Sequence, residues 1–201
     1  MNHSGGNNPY YQKGKTDLAV DRFARLDNPT MADLNLVGVT AQVEQGIDEY
    51  RIGALSLAQS ELESEAHLSK RLNDHLSLAG DQKPHSKCHA HAIISGSHKD
   101  AARLRAILAW LKVRIDDPDN GCWLPENTAA IKEMPDRLKN AVPHSRIHRY
   151  NYYFWLNQII NIRKTKAPKE LREVLNMVEL RLQSGSQPIY VMNKKGIGLP
   201  A

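Results

Sequence analysis

Apolar residues recur at intervals of three and four through the first eighty positions of the chain, which is the spacing of amphipathic helices. Residues 17–26 are predicted to form a short helix that ends at the turn signal Asp27-Asn28-Pro29. A longer helical stretch follows, in which Gly46 and Gly53 predict a bend or a break. Its apolar positions are Val39, Val43, Ile47, Tyr50, Ala54, Leu57, Leu68, Leu72 and Leu76. We therefore predict a helical N-terminal region over residues 1–80.

This N-terminal region has two interpretations. It is either a helical hairpin that packs on the domain that follows, or an adaptor whose apolar stripe docks a carrier or partner protein. The hydrophobic pattern alone leaves both interpretations open.

The pattern changes after a polar linker at residues 81–86. Residues 87–96 are predicted to form a short strand that ends at a Ser-Gly turn. Ser97 and Asp100 have the spacing of a capping box, so an amphipathic helix is expected to begin there. The apolar positions of this helix are Leu104, Ile107, Leu108 and Leu111.

The remaining pattern predicts a loop and two more helices. Residues 116–127 are rich in turn formers around a short apolar stretch. Pro143 is suited to the first turn of a helix, and the aromatic-rich sequence through Ile160 predicts that this helix carries His144 and His148. A basic linker precedes a last amphipathic helix that is expected to end at Gly185, with apolar positions Leu171, Val174, Leu175, Val178 and Leu182.

Together these elements predict a mainly α protein with a small α+β core. The core domain is expected over residues 87–185, followed by a tail at residues 186–201. The apolar stretches are far shorter than the roughly twenty residues of a membrane helix, so no membrane partner is predicted. The polar N-terminus has no basic segment followed by an apolar one, so we expect export by a route that needs no signal peptide.

The net charge of +5 is distributed unevenly along the chain. Residues 1–80 contain 7 basic and 11 acidic residues, whereas residues 81–201 contain 20 basic and 11 acidic residues. The second part is therefore suited to a polyanion such as nucleic acid, because neutralising phosphates releases condensed counterions. Charge alone does not distinguish a nucleic-acid-binding domain from a basic domain that binds nothing.

The two cysteines, Cys88 and Cys122, are not in a CxxC or other zinc-ribbon spacing. We therefore predict two small buried thiols and a fold made in the reducing cytosol, without a disulfide scaffold or a structural zinc site.

Six of the nine histidines lie between positions 85 and 148, which makes them candidates for metal ligands. His144 and His148 are four residues apart, so on a helix their rings would project from one face and could hold one ion. His89 and His91 are two apart in the predicted strand and would share a face. Asn120, between Asp119 and Gly121, is a turn residue when considered by itself.

The order of these motifs resembles the HNH/endonuclease VII superfamily, and most closely its AHH branch, over about residues 87–160. The AHH signature is Ala-His-His followed by two apolar residues, and here Ala90-His91-Ala92-Ile93-Ile94 stands in its place. The family's Asn-Gly-x-x-Leu-Pro element matches Asn120-Gly121-Cys122-Trp123-Leu124-Pro125, and its final histidine motif matches His144 and His148 followed by Tyr150.

The resemblance implies a ββα-metal nuclease domain with one divalent metal ion, which could be Mg, Mn, Zn or Ni. By this resemblance His91, His144 and His148 are the metal ligands, and Asn120 tethers the loop and orients the general base. The base itself would be the second histidine of the signature, and that position is Ala92. Three explanations remain open: an inactivating substitution, a base moved to His89 or another nearby histidine, or a domain that only binds.

The resemblance also implies a substrate and a biological role. We expect a nuclease that cleaves DNA with little sequence specificity, with RNA as a second possible substrate. The residues expected to hold the phosphate backbone are Arg146, Arg149, Arg163, Lys164 and Lys166. Family members are toxins of bacterial polymorphic toxin systems, so a cognate immunity protein and a secretion carrier are the expected partners. The chain would be made in the bacterial cytoplasm and delivered into target cells, with type VI secretion as the favoured route. The alternative is a catalytically silent module that binds DNA or protein.

Overall fold

The computed structural model describes residues 13–200. It contains helices and one small sheet, which confirms the predicted mainly α fold with a small α+β core. The elements are α1 (Lys15–Ala24), α2 (Met31–Ser56), α3 (Gln59–Glu63), α4 (Ser69–Leu78), β1 (Cys88–Ala92), α5 (Ala102–Trp110), β2 (Gly121–Pro125), α6 (Tyr150–Ile159) and α7 (Pro168–Ser184). None of the described helices is long and apolar enough to cross a membrane.

The backbone contacts divide the chain into two units, Met1–Glu49 and Tyr50–Ala201. In the first unit the Glu44 carboxylate accepts hydrogen bonds from the backbone N–H groups of Lys15 and Thr16, each at 2.9 Å, and so caps the start of α1. The helix predicted at residues 17–26 is present. Residues 50–80, which the hydrophobic pattern grouped with the N-terminal region, belong to the second unit.

Of the bend or break predicted at Gly46 or Gly53, the break is wrong. The helix α2 runs without interruption through both glycines and ends at Ser56, and no side chain of residues 13–200 lies within 4 Å of the position that a Cβ on Gly46 would take. A single helical glycine costs only about 1 kcal/mol relative to alanine, so a long helix tolerates it. The helical region is interrupted instead after Ser56 and after Glu63.

In the second unit β1 and β2 pair in an antiparallel sheet, with Ala90 opposite Trp123 and His91 opposite Cys122. Successive side chains of a strand point to opposite faces. On one face Cys88, Ala92 and Trp123 pack in an apolar cluster with residues of α4. On the other face, the apolar side chains Cys122 and Leu124 pack in the main core with residues of α5, α6 and α7.

Two predicted helix starts differ from the structure. A 3-10 turn, Lys99–Ala101, precedes α5, and its capping residue is His98, whose ring Nδ1 accepts a hydrogen bond from the Asp100 N–H, so the predicted capping role of Ser97 is wrong. The predicted helix from Pro143 to Ile160 is two elements: Pro143 precedes a 3-10 turn at His144–Arg146, and α6 begins only at Tyr150. The last helix ends as predicted, with Gly185 in the left-handed conformation at φ 71°.

The loop between α5 and β2 is fixed by buried ion pairs. The Asp116 carboxylate, which is fully buried, contacts His67 and Arg71, while Asp117 accepts hydrogen bonds from Arg51 and Arg172. Although burial opposes ionisation, hydrogen bonds to these partners lower the pKa of both carboxyl groups. The turn that leads to Asn120 is therefore rigidly held by residues distant in the sequence.

The C-terminal residues pack on α6. The Asn151 side-chain amide donates to the carbonyl oxygens of Tyr190, Lys194 and Ile197, and Val191 is fully buried. The segment predicted as a tail therefore contributes a 3-10 turn, Ile189–Met192, to the second unit.

Candidate functional site

His91 lies near the end of β1 and is fully buried. Its side chain points away from the apolar cluster that contains Ala92, because the two residues are neighbours on a strand. The ring lies 5.3 Å from that of His144 and 4.8 Å from that of His148, measured between ring centroids. A strand histidine and two histidines from a later segment thus meet at one place.

His144 and His148 reach His91 without sharing a helix. His144 opens the 3-10 turn, and the Ser145 N–H at the same turn donates to the carbonyl of Glu126, just after β2, at 3.1 Å. His148 lies between this turn and α6. The helical geometry from which their proximity was predicted is therefore wrong, although the two histidines are near each other. One ring nitrogen from each of the three histidines lies within 4.8 Å of the others.

The chemistry of these three side chains fits a divalent metal ion. His91 Nδ1 is buried and has no hydrogen-bond partner among residues 13–200, which is costly for a polar atom unless something else binds it. Three imidazole nitrogens are a ligand set that suits zinc, nickel and related ions. The histidines of the site could therefore hold a metal ion, whose identity the ligand set does not determine.

The protonation state of the three histidines is suited to metal binding. Burial, and then the neighbouring histidines, holds the pKa of His91 well below its ordinary value of 6.5. Burial also lowers the pKa of His144. Burial, together with the nearby His144 and His98, lowers the pKa of His148 to about 4. All three imidazoles are consequently neutral at pH 7, and a neutral imidazole is the form that ligates metal.

Two tyrosines of α6 contact the histidines of the site. The Tyr152 hydroxyl lies 3.3 Å from His91 Nε2 and donates a hydrogen bond to the carbonyl of Ile93 at 2.8 Å. The Tyr153 hydroxyl lies 2.7 Å from His148 Nδ1. Sequence reasoning missed both tyrosines because an aromatic run in a helix is typical of a core. Their position four and five residues after His148 is the signal that could have indicated them.

His89 lies at the exposed edge of the site, on the same side of β1 as His91. Its Nδ1 is 3.3 Å from His144 Nδ1, and its Nε2 is 3.7 Å from a carboxylate oxygen of Glu126. About half of the His89 side chain is accessible, 51%, so it meets solvent where His91 does not. The predicted shared face of the two strand histidines is present.

Ala92 faces away from the three histidines. It is 5% exposed and packs among Leu72, Leu76 and Trp123 on the other side of the sheet. A side chain at this position is therefore directed into the apolar cluster in the present backbone.

Asn120 holds the loop against the residues that follow β1. Its side-chain oxygen accepts from the Ile94 N–H at 2.9 Å, and its amide donates to the carbonyls of Ile94 and Ile115 at 3.2 and 2.7 Å. The backbone N–H of Ile93 also donates to the carbonyl of Asn120. These contacts tether the loop to the strand that carries His91. No hydrogen bond joins the Asn120 side chain to a histidine within residues 13–200.

The five predicted phosphate-binding residues fall into two groups. Arg146 and Arg149 each lie within two residues of a site histidine in the sequence and precede α6. Arg163, Lys164 and Lys166 follow α6, whose ten residues separate the two groups by about 15 Å along the helix. The second group therefore follows the end of α6 that is farther along the chain from the histidines, and the prediction that all five residues lie beside the metal site stays a prediction.

Comparison with known proteins identifies the class of this arrangement. Residues 72–181 match the model of a nuclease family of the HNH/ENDO VII superfamily with conserved AHH. The match extends over more than half of the chain and includes the sheet, Asn120 and the histidine cluster. More particularly, the chain belongs to this AHH nuclease family. No curated protein and no solved structure matches the chain.

Proposed function

We propose that the chain is a metal-dependent endonuclease that hydrolyses DNA phosphodiester bonds with little sequence specificity. The observation that carries this proposal is the convergence of His91, His144 and His148, one of which has a buried ring nitrogen with no partner in the described part of the chain. A divalent ion held there would polarise the phosphodiester and stabilise the negative charge that develops on it and on the leaving oxygen.

His89 is the proposed general base. It lies beside His144, is open to solvent, and has a Glu126 carboxylate oxygen 3.7 Å from its other nitrogen, where a negative charge favours the protonated imidazole that proton transfer would form. It would accept a proton from the attacking water while the new P–O bond forms. The bond from phosphorus to the 3′ oxygen then breaks, and the leaving oxygen takes a proton from solvent.

Arg146 and Arg149 are proposed to bind the backbone phosphates next to the scissile bond. Arg163, Lys164 and Lys166 would bind a more distant part of the same duplex. Phosphate contacts position a nucleic acid without selecting its sequence, which supports low specificity. The sugar is not read by this chemistry, so RNA is tested alongside DNA.

The biological role that we propose is that of an antibacterial toxin effector. It rests on the resemblance to toxin nucleases, which also implies a cognate immunity protein and a carrier or secretion machine engaged through the N-terminal region. Production in the bacterial cytoplasm and delivery by signal-independent secretion, with type VI secretion favoured, belong to the same proposal.

A second candidate function is a catalytically silent module that binds DNA or protein. The observation that favours it is Ala92, which replaces a histidine of the family signature.

A plasmid-nicking assay with purified protein separates the two functions. The unmodified chain and a His148→Ala variant are incubated with supercoiled plasmid, with a chelator or with added Mg, Mn, Zn or Ni, and an RNA of the same length is run in parallel. Metal-dependent nicking by the unmodified chain, lost in the variant, supports the nuclease. DNA binding without nicking under every metal supports the silent module.

A further inference from the structure

The hydrogen bonds around Tyr152 determine which nitrogen of His91 carries the proton. A tyrosine hydroxyl has one hydrogen to donate. That hydrogen is used in the 2.8 Å bond to the Ile93 carbonyl, an acceptor that cannot donate. Tyr152 can therefore only accept at its 3.3 Å contact with His91 Nε2, so the hydrogen of that contact belongs to the imidazole.

A neutral imidazole carries one N–H, so the other nitrogen of His91 has a free lone pair. This nitrogen is Nδ1, which is buried and has no partner among the described residues. The ring is fully buried, which disfavours its charged form. A buried lone pair beside two further imidazoles is the arrangement that a metal ion satisfies.

We propose that Tyr152 is a positioning residue that locks His91 in its Nε2–H tautomer and thereby makes Nδ1 the metal-ligating atom. The two hydrogen bonds that link the Ile93 carbonyl, Tyr152 and His91 also fix the orientation of the His91 ring. Ile93 and His91 belong to one rigid backbone segment that is tied to Asn120. This inference rests on the proposed metal centre and adds to it the identity of one ligating atom and of the residue that selects it.

Tyr153 is a useful contrast. Its hydroxyl lies 2.7 Å from His148 Nδ1, and either atom can be the donor in that contact, so it does not impose one proton position in the same way. The tautomer of His91 is thus determined by the geometry around a single hydroxyl, and the substitution Tyr152→Phe removes that hydroxyl while keeping the buried ring.

The first measurement is made on the unmodified, metal-free protein. Long-range proton–nitrogen correlation NMR at pH 7 distinguishes a protonated from an unprotonated ring nitrogen, and the His91 signals are assigned by their loss in His91→Gln. We expect a protonated Nε2 and an unprotonated Nδ1. An Nδ1–H tautomer overturns the inference, and this result does not depend on the folding of any tyrosine variant.

The second measurement is the affinity for Zn²⁺, determined by competition with a chromophoric chelator. Loss of a group that orients a ligand histidine typically weakens metal binding 10–100-fold, and we expect Tyr152→Phe to fall in this range. The control is Tyr190→Phe, which removes the hydroxyl of a half-buried tyrosine on the C-terminal 3-10 turn and should leave the affinity unchanged. Equal affinity of Tyr152→Phe and the unmodified protein overturns the positioning role.

The outcomes separate this inference from the proposed function. If the unmodified protein binds no Zn²⁺, Mn²⁺ or Ni²⁺, the metal centre is wrong and the role of Tyr152 is wrong with it. If Zn²⁺ binds and its addition perturbs His91 at Nε2, the centre stands and only the present inference is overturned. Perturbation at Nδ1, together with weaker binding by Tyr152→Phe, supports both.

Discussion

His91 and Ala92 are consecutive in β1, yet their side chains lie on opposite faces of the sheet. His91 contacts His148 in the histidine site, whereas Ala92 packs among Leu72, Leu76 and Trp123. The space on the face of Ala92 is small: a Cβ added at Gly121, which pairs with Ala92, would lie 2.6 Å from a methyl carbon of Leu72. A larger polar side chain at position 92 would therefore enter a close-packed apolar cluster.

This relationship predicts the effect of Ala92→His. Overpacking a core typically costs about 1–3 kcal/mol, so we expect a less stable protein and no gain in cleavage. The result is checked by chemical denaturation and by the nicking assay on the same preparations. A cleavage rate raised 10²–10⁴-fold would contradict the expectation and would show that Ala92 stands at the position of a missing base.

A second prediction concerns His89, the proposed general base. If His89 is the base, His89→Ala should lower the cleavage rate by about 10²–10⁴-fold while leaving Zn²⁺ affinity within a few-fold, because water activation is lost and the three ligands remain. His85→Ala is the matched control, since His85 precedes the strand and lies outside the site histidines. Cleavage by His89→Ala at the unmodified rate would contradict the role.

The sequence was sufficient to predict which histidines form the site but not how the backbone presents them. The order of His91, Asn120, His144 and His148 carries the family resemblance, and that order survives any error in secondary structure. Pro143 suits a 3-10 turn as well as a helix start, so the pattern did not reveal that α6 begins only at Tyr150.

Contacts between distant segments explain what the sequence could not predict. Asp116 and Asp117 have the composition of a turn, and only tertiary structure places Arg51 and Arg71 beside them, about 45 to 66 residues away. The role of Tyr152 depends in the same way on where α6 packs against β1. The local hydrophobic pattern predicts whether a segment is a helix or a strand, but it does not predict which other element packs against its buried face.

The two groups of basic residues predict different kinetic effects. Arg146→Ala should lower kcat as well as raise KM, because Arg146 is next to the site and would hold the phosphate in the transition state. Replacing Arg163, Lys164 and Lys166 together by alanine should raise KM alone, since these residues follow the far end of α6, a helix about 15 Å long that begins next to the site histidines. Steady-state cleavage of a 20-base-pair duplex measures both constants.

Salt dependence provides an independent check of these contacts. Each lost phosphate contact should reduce the slope of log affinity against log salt concentration by about 1. An unchanged slope for Arg146→Ala would identify it as a solvated surface charge that does not contact DNA.

The buried ion pairs of the loop predict a large stability effect. The Asp117 side chain is 1% exposed and bonds to Arg51 and Arg172, so Asp117→Ala should lower the free energy of unfolding at pH 7 by about 3 kcal/mol. The pKa of Asp117 is lowered in the folded state, so its contribution is present above the unfolded pKa and is lost as pH falls. The control is Asp136→Ala, whose carboxylate is 93% exposed and should matter by less than about 0.5 kcal/mol. Equal effects of the two substitutions would contradict the structural role of the loop carboxylates.

Glu179, on α7, predicts a stability change of opposite sign. Burial, with a further contribution from the nearby Asp81, raises the pKa of Glu179 to about 7, although Arg137 opposes the shift and the Gln183 amide donates to its carboxylate. The folded state therefore binds more protons than the unfolded state between about pH 4.5 and 7, and stability falls as pH rises through this window.

Glu179→Gln removes the charge and keeps an acceptor for Gln183. We expect the variant to be more stable than the unmodified protein at pH 8, by about 1–2 kcal/mol after allowance for partial exposure, and equally stable at pH 4.5. Urea denaturation at both pH values measures the difference. Glu173→Gln, an exposed position on the same helix, should show no such pH dependence. If Glu179→Gln is destabilised at pH 8, then the carboxylate is ionised and favourably paired there, and the raised pKa is wrong.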